Sequence, residues 1–369
     1  MGTRRRVSVA YPGGSYDVVV GVGALVQAAA ELDGWCAGRR VFVVSSPRVR
    51  ELHGARLAGR FADAEERIDL DVPEGEAAKS LEVVGQLWEA MLTAGGKRDS
   101  RLVALGGGTV GDAGGFVAAC FLRGIEFVGI PTTLLAQVDA SVGGKTAIDL
   151  PAGKNTVGSF HQPALVIADV GILETLPDAE LRAGLVEVVK MASTLDLAAF
   201  EALEESFDRV LARDEEALAR IIADAVELKR RVVEQDPREG DRRRLLNFGH
   251  TLGHALEAVI GYGRIRHGEA VAHGMRYALG LASARALSKQ DAGRVFMLLQ
   301  RLELPELPRL EVGDVIAAMR RDKKARESGM SWVLPTSLGD SAVFDDVGWD
   351  VVEATLRDFL SPRSASPPA

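Results

Sequence analysis

"RLVALGGGTVGDAGGF", residues 101–116, begins as an apolar run and continues through a cluster of glycines into a segment with helical spacing. The apolar run is typical of a buried parallel strand, and the glycines let the backbone approach a ligand closely. The helix that follows offers unpaired N–H groups to a phosphate at its first turn. Because the stretch departs from the G-x-G-x-x-G pattern, it predicts either a pyrophosphate site or simply a tight turn.

The segments on either side repeat the alternation of strand and helix. "RVFVVSS" (40–46) and "EFVGIPTTLLAQ" (126–137) begin as strands, and "SLEVVGQLWEAMLTAGG" (80–96) has helical spacing and ends at glycine. Strands that alternate with helices predict a parallel sheet covered on both faces. The first part of the chain is therefore expected to be an α/β domain.

From about Pro177 the pattern changes to long helical segments, and strand signals become rare. We place a boundary near residue 175, which gives an α/β domain over 1–175 and an all-α domain over 176–360. The last residues, "SPRSASPPA" (361–369), are small and rich in proline, so we expect a disordered tail there.

Composition limits the class of protein. The chain has 369 residues, a formal net charge of -8 and 47% hydrophobic residues, which is typical of a soluble enzyme with two domains. The acidic balance argues against nucleic-acid binding, which needs excess lysine and arginine. The two cysteines, Cys36 and Cys120, lie far apart and show no metal-type spacing. Since no signal-peptide core or membrane-spanning run is visible, we expect a cytoplasmic protein with no membrane partner.

A second glycine-rich stretch, "SVGGKTAIDLPAGKN" (141–155), carries Lys145, Lys154 and Asn155. "GGKT" is similar to the end of a P-loop, but position 139 is Asp139 where that motif needs glycine, so a Walker-type ATPase is disfavoured. Lysines among glycines still suit an anionic substrate. The alternative is a solvated loop.

Histidines concentrate in one segment, 250–275, which holds four of the six: His250, His254, His267 and His273. His250 and His254 are four residues apart, so on a helix both imidazoles share one face. The segment lacks the H-E-x-x-H pattern of zinc proteases. A catalytic zinc needs three protein ligands and an open position. Spacing alone nominates His254 as the second ligand beside His250.

A carboxylate for such a site stands in "LVEVVKMAS" (185–193), where Glu187 precedes Lys190 by three residues. An ion pair on a helix surface is the common outcome of this spacing. The flanking apolar residues instead indicate a partly buried face, where a charge needs a partner or a metal. Farther along, Lys229 and the arginines at 242–244 make the chain locally basic, which predicts either an anion pocket or a solvated helix face.

Taken together, these stretches resemble the 3-dehydroquinate synthase family of sugar phosphate cyclases. The resemblance is densest in 105–163 and in "LLNFGHTLGHALEAVIGYG" (245–263). It implies a Rossmann-like NAD-binding α/β domain followed by an all-α domain that binds metal and substrate. It also implies NAD and Zn²⁺ or Co²⁺ as cofactors, and a homodimer. The implied reaction converts 3-deoxy-D-arabino-heptulosonate 7-phosphate, an anionic sugar phosphate, to 3-dehydroquinate and phosphate in the shikimate pathway.

The resemblance also assigns residues by position. It implies Glu187, His250 and His267 as metal ligands, and it gives His254 to the substrate, against the spacing argument. The positions implied for NAD are Glu76, Lys79, Gly108, Thr109, Val110, Gly111, Asp112, Thr132, Thr133, Lys145, Lys154 and Thr175. The positions implied for substrate or catalysis are Asp139, Lys145, Asn155, Lys190, Lys229, Arg243, Asn247, His254 and Lys324, together with Arg123, which would reach the neighbouring subunit.

Three alternatives remain open at this point. Other sugar phosphate cyclases, above all an aminodehydroquinate synthase, share these motifs and would differ in substrate. A metal-dependent alcohol or glycerol dehydrogenase of related architecture would release NADH. A catalytically silent NAD-binding protein would have no reason to keep the carboxylate, the histidines and the lysines together.

Overall fold

The structure is a computed structural model, and it describes residues 5–151, 153–240, 242–321 and 329–361. Lys324 and the predicted disordered tail from residue 362 onward lie outside the described residues. By its internal packing the chain divides into two compact units. The first unit comprises residues 1–181 and 213–238, and the second comprises residues 182–212 and 239–369.

The strands of the first unit form one large sheet and one small hairpin. In chain order they are β1 (Arg5–Tyr11), β2 (Gly14–Gly21), β3 (Arg40–Ser45), β4 (Glu66–Asp71), β5 (Arg101–Gly106), β6 (Glu126–Pro131), β7 (Lys145–Leu150), β8 (Gly153–Phe160) and β9 (Leu165–Asp169). The large sheet has the order β1-β2-β9-β6-β5-β3-β4. Its strands pair in parallel, except that β1 and β2 form an antiparallel edge. The separate hairpin is β7–β8.

Thirteen helices lie in the described residues. In chain order they are α1 (Ala24–Gln27), α2 (Ala29–Cys36), α3 (Pro47–His53), α4 (Leu81–Thr93), α5 (Gly108–Cys120), α6 (Asp178–Leu195), α7 (Leu197–Leu211), α8 (Glu215–Gln235), α9 (His250–Ile260), α10 (His267–Ser283), α11 (Lys289–Arg301), α12 (Val312–Arg320) and α13 (Trp349–Leu360). None of them is long and apolar enough to cross a membrane.

The large sheet is covered on both faces, as the apolar strands predicted. In β3, Val41 and Val43 enter one apolar cluster, whereas Phe42 and Val44 enter the other. Successive side chains of a strand point to opposite faces, so each strand supplies both clusters. The first cluster contains residues of α1 and α2, and the second contains residues of α4 and α5. This arrangement confirms the predicted α/β class and fixes the glycine-rich loop at the carboxyl end of β5.

Helix α8 belongs to the first unit, whereas the sequence placed the whole of 176–360 in the second domain. It packs on β1 and β2. Arg5 NH1 lies 2.6 Å from Asp224 Oδ1, and the backbone N–H of Ala10 donates to Glu234 Oε1 at 2.8 Å. Both contacts join the antiparallel edge to α8. The chain therefore returns to the first unit after α7.

The second unit is rich in helices, as predicted, and it also contains one hairpin. β10 (Gly329–Ser337) pairs antiparallel with β11 (Asp340–Gly348). The prediction of an all-α domain missed this hairpin. Trp332 of β10 is buried against Tyr277 of α10, with ring centroids 5.3 Å apart. Its strand pattern is irregular, since the register shifts next to Pro335, and it is surrounded in the sequence by helical patterns.

Candidate functional site

The glycine-rich loop of the first unit connects β5 to α5 over Gly106–Gly108. No side chain caps the first turn of α5, so its N–H groups are available to a ligand. A cavity beside the loop is lined by Gly107, Gly108, Gly111 and Asp112, and on its other side by Ser141 and Lys145. A Cβ atom added to Gly111 would meet no atom within 4 Å. The loop therefore leaves open space where a phosphate could approach the helix.

A buried lysine stands next to this cavity. Nζ of Lys79 lies 2.7 Å from Oδ2 of Asp112 and also donates to Oδ1 of Asn155. Burial raises the pKa of Asp112, and the positive charge of Lys79 offsets part of that effect. Asn155 adopts a left-handed backbone (φ 54°), and its N–H donates to Asp149 Oδ1 at 2.7 Å. The structure thus brings together two residues expected at NAD and one expected at the substrate.

Six other positions expected at NAD lie around the same loop. Lys154 Nζ lies 3.1 Å from Glu76 Oε1. Thr132 is buried, and its N–H donates to the carbonyl of Gly106 at 2.9 Å. Thr133 Oγ1 accepts from the N–H of Ala136 at 3.2 Å. Thr109 and Val110 follow in the first turn of α5.

Thr175 and Arg123 have different surroundings in the first unit. Oγ1 of Thr175 lies 3.0 Å from Nε2 of His53, so its hydroxyl group is engaged by α3. Arg123 is exposed and ends a short 3₁₀ segment, Phe121–Arg123, with φ at 74°. A non-glycine residue in this conformation is uncommon and marks a constrained turn.

Lys229 reaches Asp139 within the first unit. Its Nζ lies 2.6 Å from Oδ1 of Asp139 and also donates to the Asp139 carbonyl. Asp139 lies in a single π-helical turn, Ala136–Ala140, a conformation found mostly at functional positions. Lys229 is buried. Lys229 belongs to the basic stretch noted in the sequence, and its side chain points inward.

In the second unit, Glu187, His250 and His267 converge. Their ligand atoms lie within 4.8 Å of one another. Oε1 of Glu187 lies 3.8 Å from Nε2 of His250 and 3.8 Å from Nε2 of His267. A tetrahedral metal with bonds of about 2.0–2.1 Å would hold its ligand atoms roughly 3.3–3.4 Å apart. Small side-chain adjustments would therefore let all three atoms bind one ion.

The tautomers of the two histidines favour such an ion. Nδ1 of His250 lies 3.2 Å from the carbonyl oxygen of Phe248, and Nδ1 of His267 lies 3.2 Å from Oε2 of Glu257. A carbonyl or a carboxylate only accepts hydrogen bonds, so each Nδ1 carries the proton. Both Nε2 atoms then face Glu187. Metal-bound histidines usually have this arrangement.

Glu187 is 1% exposed, and its Oε1 accepts no hydrogen bond from any residue that the structure describes. Its Oε2 forms an ion pair with Lys190, which is also buried. Burial, together with the charge of Lys190, lowers the pKa of His250 well below its ordinary value. For His267, burial is outweighed by the hydrogen bond to Glu257 and the charge of Glu187, so its pKa is raised. A buried, incompletely paired carboxylate next to two imidazoles is the donor set that a divalent cation would satisfy.

Two glycines explain how three distant residues meet. A Cβ atom on Gly268 would lie 2.1 Å from the carbonyl oxygen of Ala183, so only glycine lets the start of α10 touch α6 there. Gly274 similarly lies against the backbone of Gly249 at the start of α9, where an added Cβ would be 1.9 Å from its carbonyl oxygen. These contacts bring the first residues of α9 and α10 to the carboxylate of α6.

His254 lies beside this group rather than in it. Its ring centroid is 5.3 Å from that of His250 and 6.1 Å from that of His267, and its side chain is exposed. A second set, His254, Glu257 and His267, also has ligand atoms within 4.8 Å of one another. The i and i+4 spacing correctly placed both histidines on one face, and it could not choose between the two sets.

Arg243 and Asn247 lie in a short 3₁₀ segment, Arg242–Asn247, just before α9. Arg243 is 2% exposed, and Asn247 is partly buried. The neighbouring Arg244 binds Ser331 of β10 and lies 3.1 Å from Oδ1 of Asp345 of β11. The sequence did not single out this link, since the hairpin itself was not predicted.

Known proteins are similar to this chain over most of its length. Sequence models described as 3-dehydroquinate synthase N-terminal and C-terminal match residues 69–183 and 184–325. The 3-dehydroquinate synthase of Pelobacter propionicus is 45% identical over 336 residues, which is 89% of this chain and 92% of that protein. This chain belongs to the 3-dehydroquinate synthase family.

Two solved structures are similar to this chain over almost its whole length. A 2-deoxy-scyllo-inosose synthase complexed with carbaglucose-6-phosphate, NAD⁺ and Co²⁺ has a TM-score of 0.87 at 25% identity, covering 96% of this chain and 100% of that chain. The 2-epi-5-epi-valiolone synthase of Streptomyces hygroscopicus, with NAD⁺ and Zn²⁺ bound, has a TM-score of 0.85 at 31% identity, covering 96% and 99%. Both synthases therefore share this architecture.

Sequence reasoning gave Glu257 no role, although the structure places it against His267. A signal for it was present. Glu257 follows His250 by seven residues, so the two lie on one face of α9, and its neighbours on that helix are mostly apolar. A buried carboxylate at that position needs a partner.

Proposed function

We propose that this chain converts 3-deoxy-D-arabino-heptulosonate 7-phosphate to 3-dehydroquinate and phosphate, with NAD and Zn²⁺ or Co²⁺ as cofactors. Besides family membership, the proposal rests on one observation. Three ligand atoms, from Glu187, His250 and His267, point toward a common position. When bound, NAD accepts and returns one hydride in each turnover, and the metal lowers the pKa of the substrate hydroxyl groups that it contacts.

The residues of the second unit fit this metal. Glu187 supplies a negative charge that Lys190 partly balances, and two imidazoles supply nitrogen ligands. Three protein ligands leave a coordination position for substrate, as in catalytic rather than structural zinc sites. His254, exposed beside the ligand set, is placed to hold or accept a substrate proton. Arg243 and Asn247 would bind substrate oxygens.

The residues of the first unit fit a dinucleotide. The uncapped start of α5 and the open space over Gly111 suit a pyrophosphate. Lys79, Lys145 and Lys154 add positive charge around the loop, and Asp112 fixes the ammonium group of Lys79. Asp139, Asn155 and Lys229, held by the contacts described above, are the candidate substrate residues of this unit.

Phosphate release is the decisive assay. The purified enzyme, given NAD, Zn²⁺ or Co²⁺ and the heptulosonate 7-phosphate, should release one phosphate per substrate and accumulate no NADH. Net NADH formation from a simple polyol would instead indicate a dehydrogenase. Turnover of the imino analogue in preference to the parent substrate would indicate an aminodehydroquinate synthase.

We also propose a homodimer in which the exposed Arg123 reaches the neighbouring subunit, and a cytoplasmic location. Arg123 suits this role because its turn is conformationally constrained and its side chain projects from the surface. Sedimentation of the parent protein tests the dimer. If Arg123→Ala lowers turnover without changing the sedimentation coefficient, the arginine acts at a site rather than in assembly.

A further inference from the structure

The two histidines of the ligand set are oriented by chemically different groups. His250 donates its Nδ1–H to the neutral backbone carbonyl of Phe248, whereas His267 donates to the carboxylate of Glu257. Glu257 is 7% exposed and lies within α9, two helical turns after His250. One helix therefore supplies both a ligand and the group that orients the ligand of the next helix.

We propose that Glu257 is a positioning residue for the metal, acting through His267 rather than by binding the ion. The inference rests on the proposed metal site. The carboxylate fixes the proton on Nδ1, directs the Nε2 lone pair of His267 toward Glu187, and makes that nitrogen a stronger donor. A backbone carbonyl orients an imidazole but carries no full charge, so His267 is the histidine whose donor strength this chain adjusts with a side chain.

Glu269, two residues after His267, has its carboxylate engaged elsewhere. Oε2 of Glu269 accepts from the backbone N–H of Arg266 at 3.0 Å, and its Oε1 lies 2.9 Å from NH1 of the same arginine. Glu269 therefore caps the start of α10. Glu257, in contrast, comes from a different helix and meets the imidazole directly. This difference makes Glu269 a matched control for Glu257.

The competing assignment makes Glu257 a direct ligand, together with His254 and His267. The geometry favours the positioning role for two reasons. The contact between Glu257 and His267 is a hydrogen bond through Nδ1 at 3.2 Å, whereas the Nε2 atom faces Glu187 at 3.8 Å, too far for a hydrogen bond. The competing set also replaces the buried Glu187 by the exposed His254.

Cobalt affinity tests the proposal. The holoenzyme is loaded with Co²⁺, and a chelator of known affinity competes for the ion while the visible cobalt spectrum is followed. Glu257→Gln should weaken binding by about 10- to 100-fold and keep the shape of the spectrum, because the three ligands are unchanged. Glu269→Gln should bind as the parent does. Parent-like affinity of Glu257→Gln, or a spectrum changed to a new ligand set, would overturn the proposal.

A third variant separates this proposal from the metal site on which it rests. If Glu187→Gln keeps full affinity, the proposed ligand set itself is wrong. If Glu187→Gln loses the metal and Glu257→Gln does not, only the positioning role fails. Nuclear magnetic resonance of the parent enzyme, loaded with Cd²⁺ and labelled with ¹⁵N-histidine, needs no variant to fold. Cadmium coupling to Nε2 of His267 supports the role, and coupling to Nδ1 contradicts it.

Discussion

Oε1 of Glu187 lies 3.8 Å from Nε2 of His267, and the two residues come from different helices, α6 and α10. No hydrogen bond fills the gap between them, although the carboxylate is almost fully buried. Desolvating a charge in this way is costly unless a partner compensates. A divalent cation between the two atoms would supply that compensation.

Replacing the carboxylate should remove the metal. We expect Glu187→Ala to give a folded protein with little bound Zn²⁺ or Co²⁺ and no detectable phosphate release, because the only anionic ligand is lost. Metal content by atomic spectroscopy and folding by circular dichroism check this. Full metal content together with full activity would refute the assignment.

Replacing His254 should separate metal binding from turnover. Since its side chain is exposed beside the ligand set, His254→Ala should keep stoichiometric metal while the turnover number falls by about 10²- to 10⁴-fold, the usual contribution of a proton-transfer group. Metal content and kcat are measured on one preparation. Loss of the metal would favour the ligand pair that helical spacing nominated.

Replacing Lys79 should weaken NAD binding. Lys79 is 3% exposed and links Asp112 to Asn155. Lys79→Met removes the charge-assisted hydrogen bonds, worth about 1.5–3 kcal/mol each, and leaves Asp112 buried without that partner. We expect at least a tenfold rise in the NAD dissociation constant, measured by calorimetry. Lys97→Met removes an exposed lysine and serves as the control; equal effects of the two changes would contradict the role of Lys79.

Adding one methyl group at Gly268 should disrupt the ligand set. The new Cβ would lie 2.1 Å from the carbonyl oxygen of Ala183, so α10 must move away from α6. We expect Gly268→Ala to lower the free energy of unfolding by about 1–3 kcal/mol and to weaken metal binding. Gly280→Ala, in the same helix, meets its nearest atom at 3.8 Å and should be neutral or slightly stabilising. Urea unfolding and metal titration compare the two, and a harmless Gly268→Ala would disprove the packing argument.

Acid should destabilise the protein partly through His273. Burial lowers the pKa of His273, and the hydrogen bond to the Pro305 carbonyl offsets only part of that effect; the charge of Arg276 adds to the lowering. Because the folded-state pKa is below the unfolded value of about 6.5, the stability that this residue contributes is present above pH 6.5. It is lost as the pH falls through the folded pKa.

The measurement for His273 is urea unfolding of the parent and of His273→Gln between pH 7.5 and pH 5. The parent should lose more free energy of unfolding across this interval than the variant. Equal losses in both proteins would mean that His273 contributes only its hydrogen bond to Pro305.

Local pattern predicted much of the fold because it reports which face of each element is buried. The stretch 101–116 gave the strand, the glycine turn and the helix that the structure contains as β5 and α5. The local pattern did not show which other helix or strand each element packs against. Helix α8 was recognised as a helix, and its place on β1 and β2 was not. The hairpin β10–β11 was missed for a related reason: an isolated two-stranded hairpin gains its stability from the helices that pack on it.

For the site, the sequence by itself determined the candidate residues, which are the glycine loop, the lysines, the histidines and Glu187. The family resemblance assigned roles to them. It also determined that His250 and His254 share a helix face. Only the tertiary structure decided what lies opposite that face. Close glycine contacts bring α6 and α10 to the start of α9, so that the ligand atoms of Glu187 and His267 converge with that of His250, and His254 lies beside them. Helical periodicity is a property of one segment, and the meeting of three segments depends on packing between them.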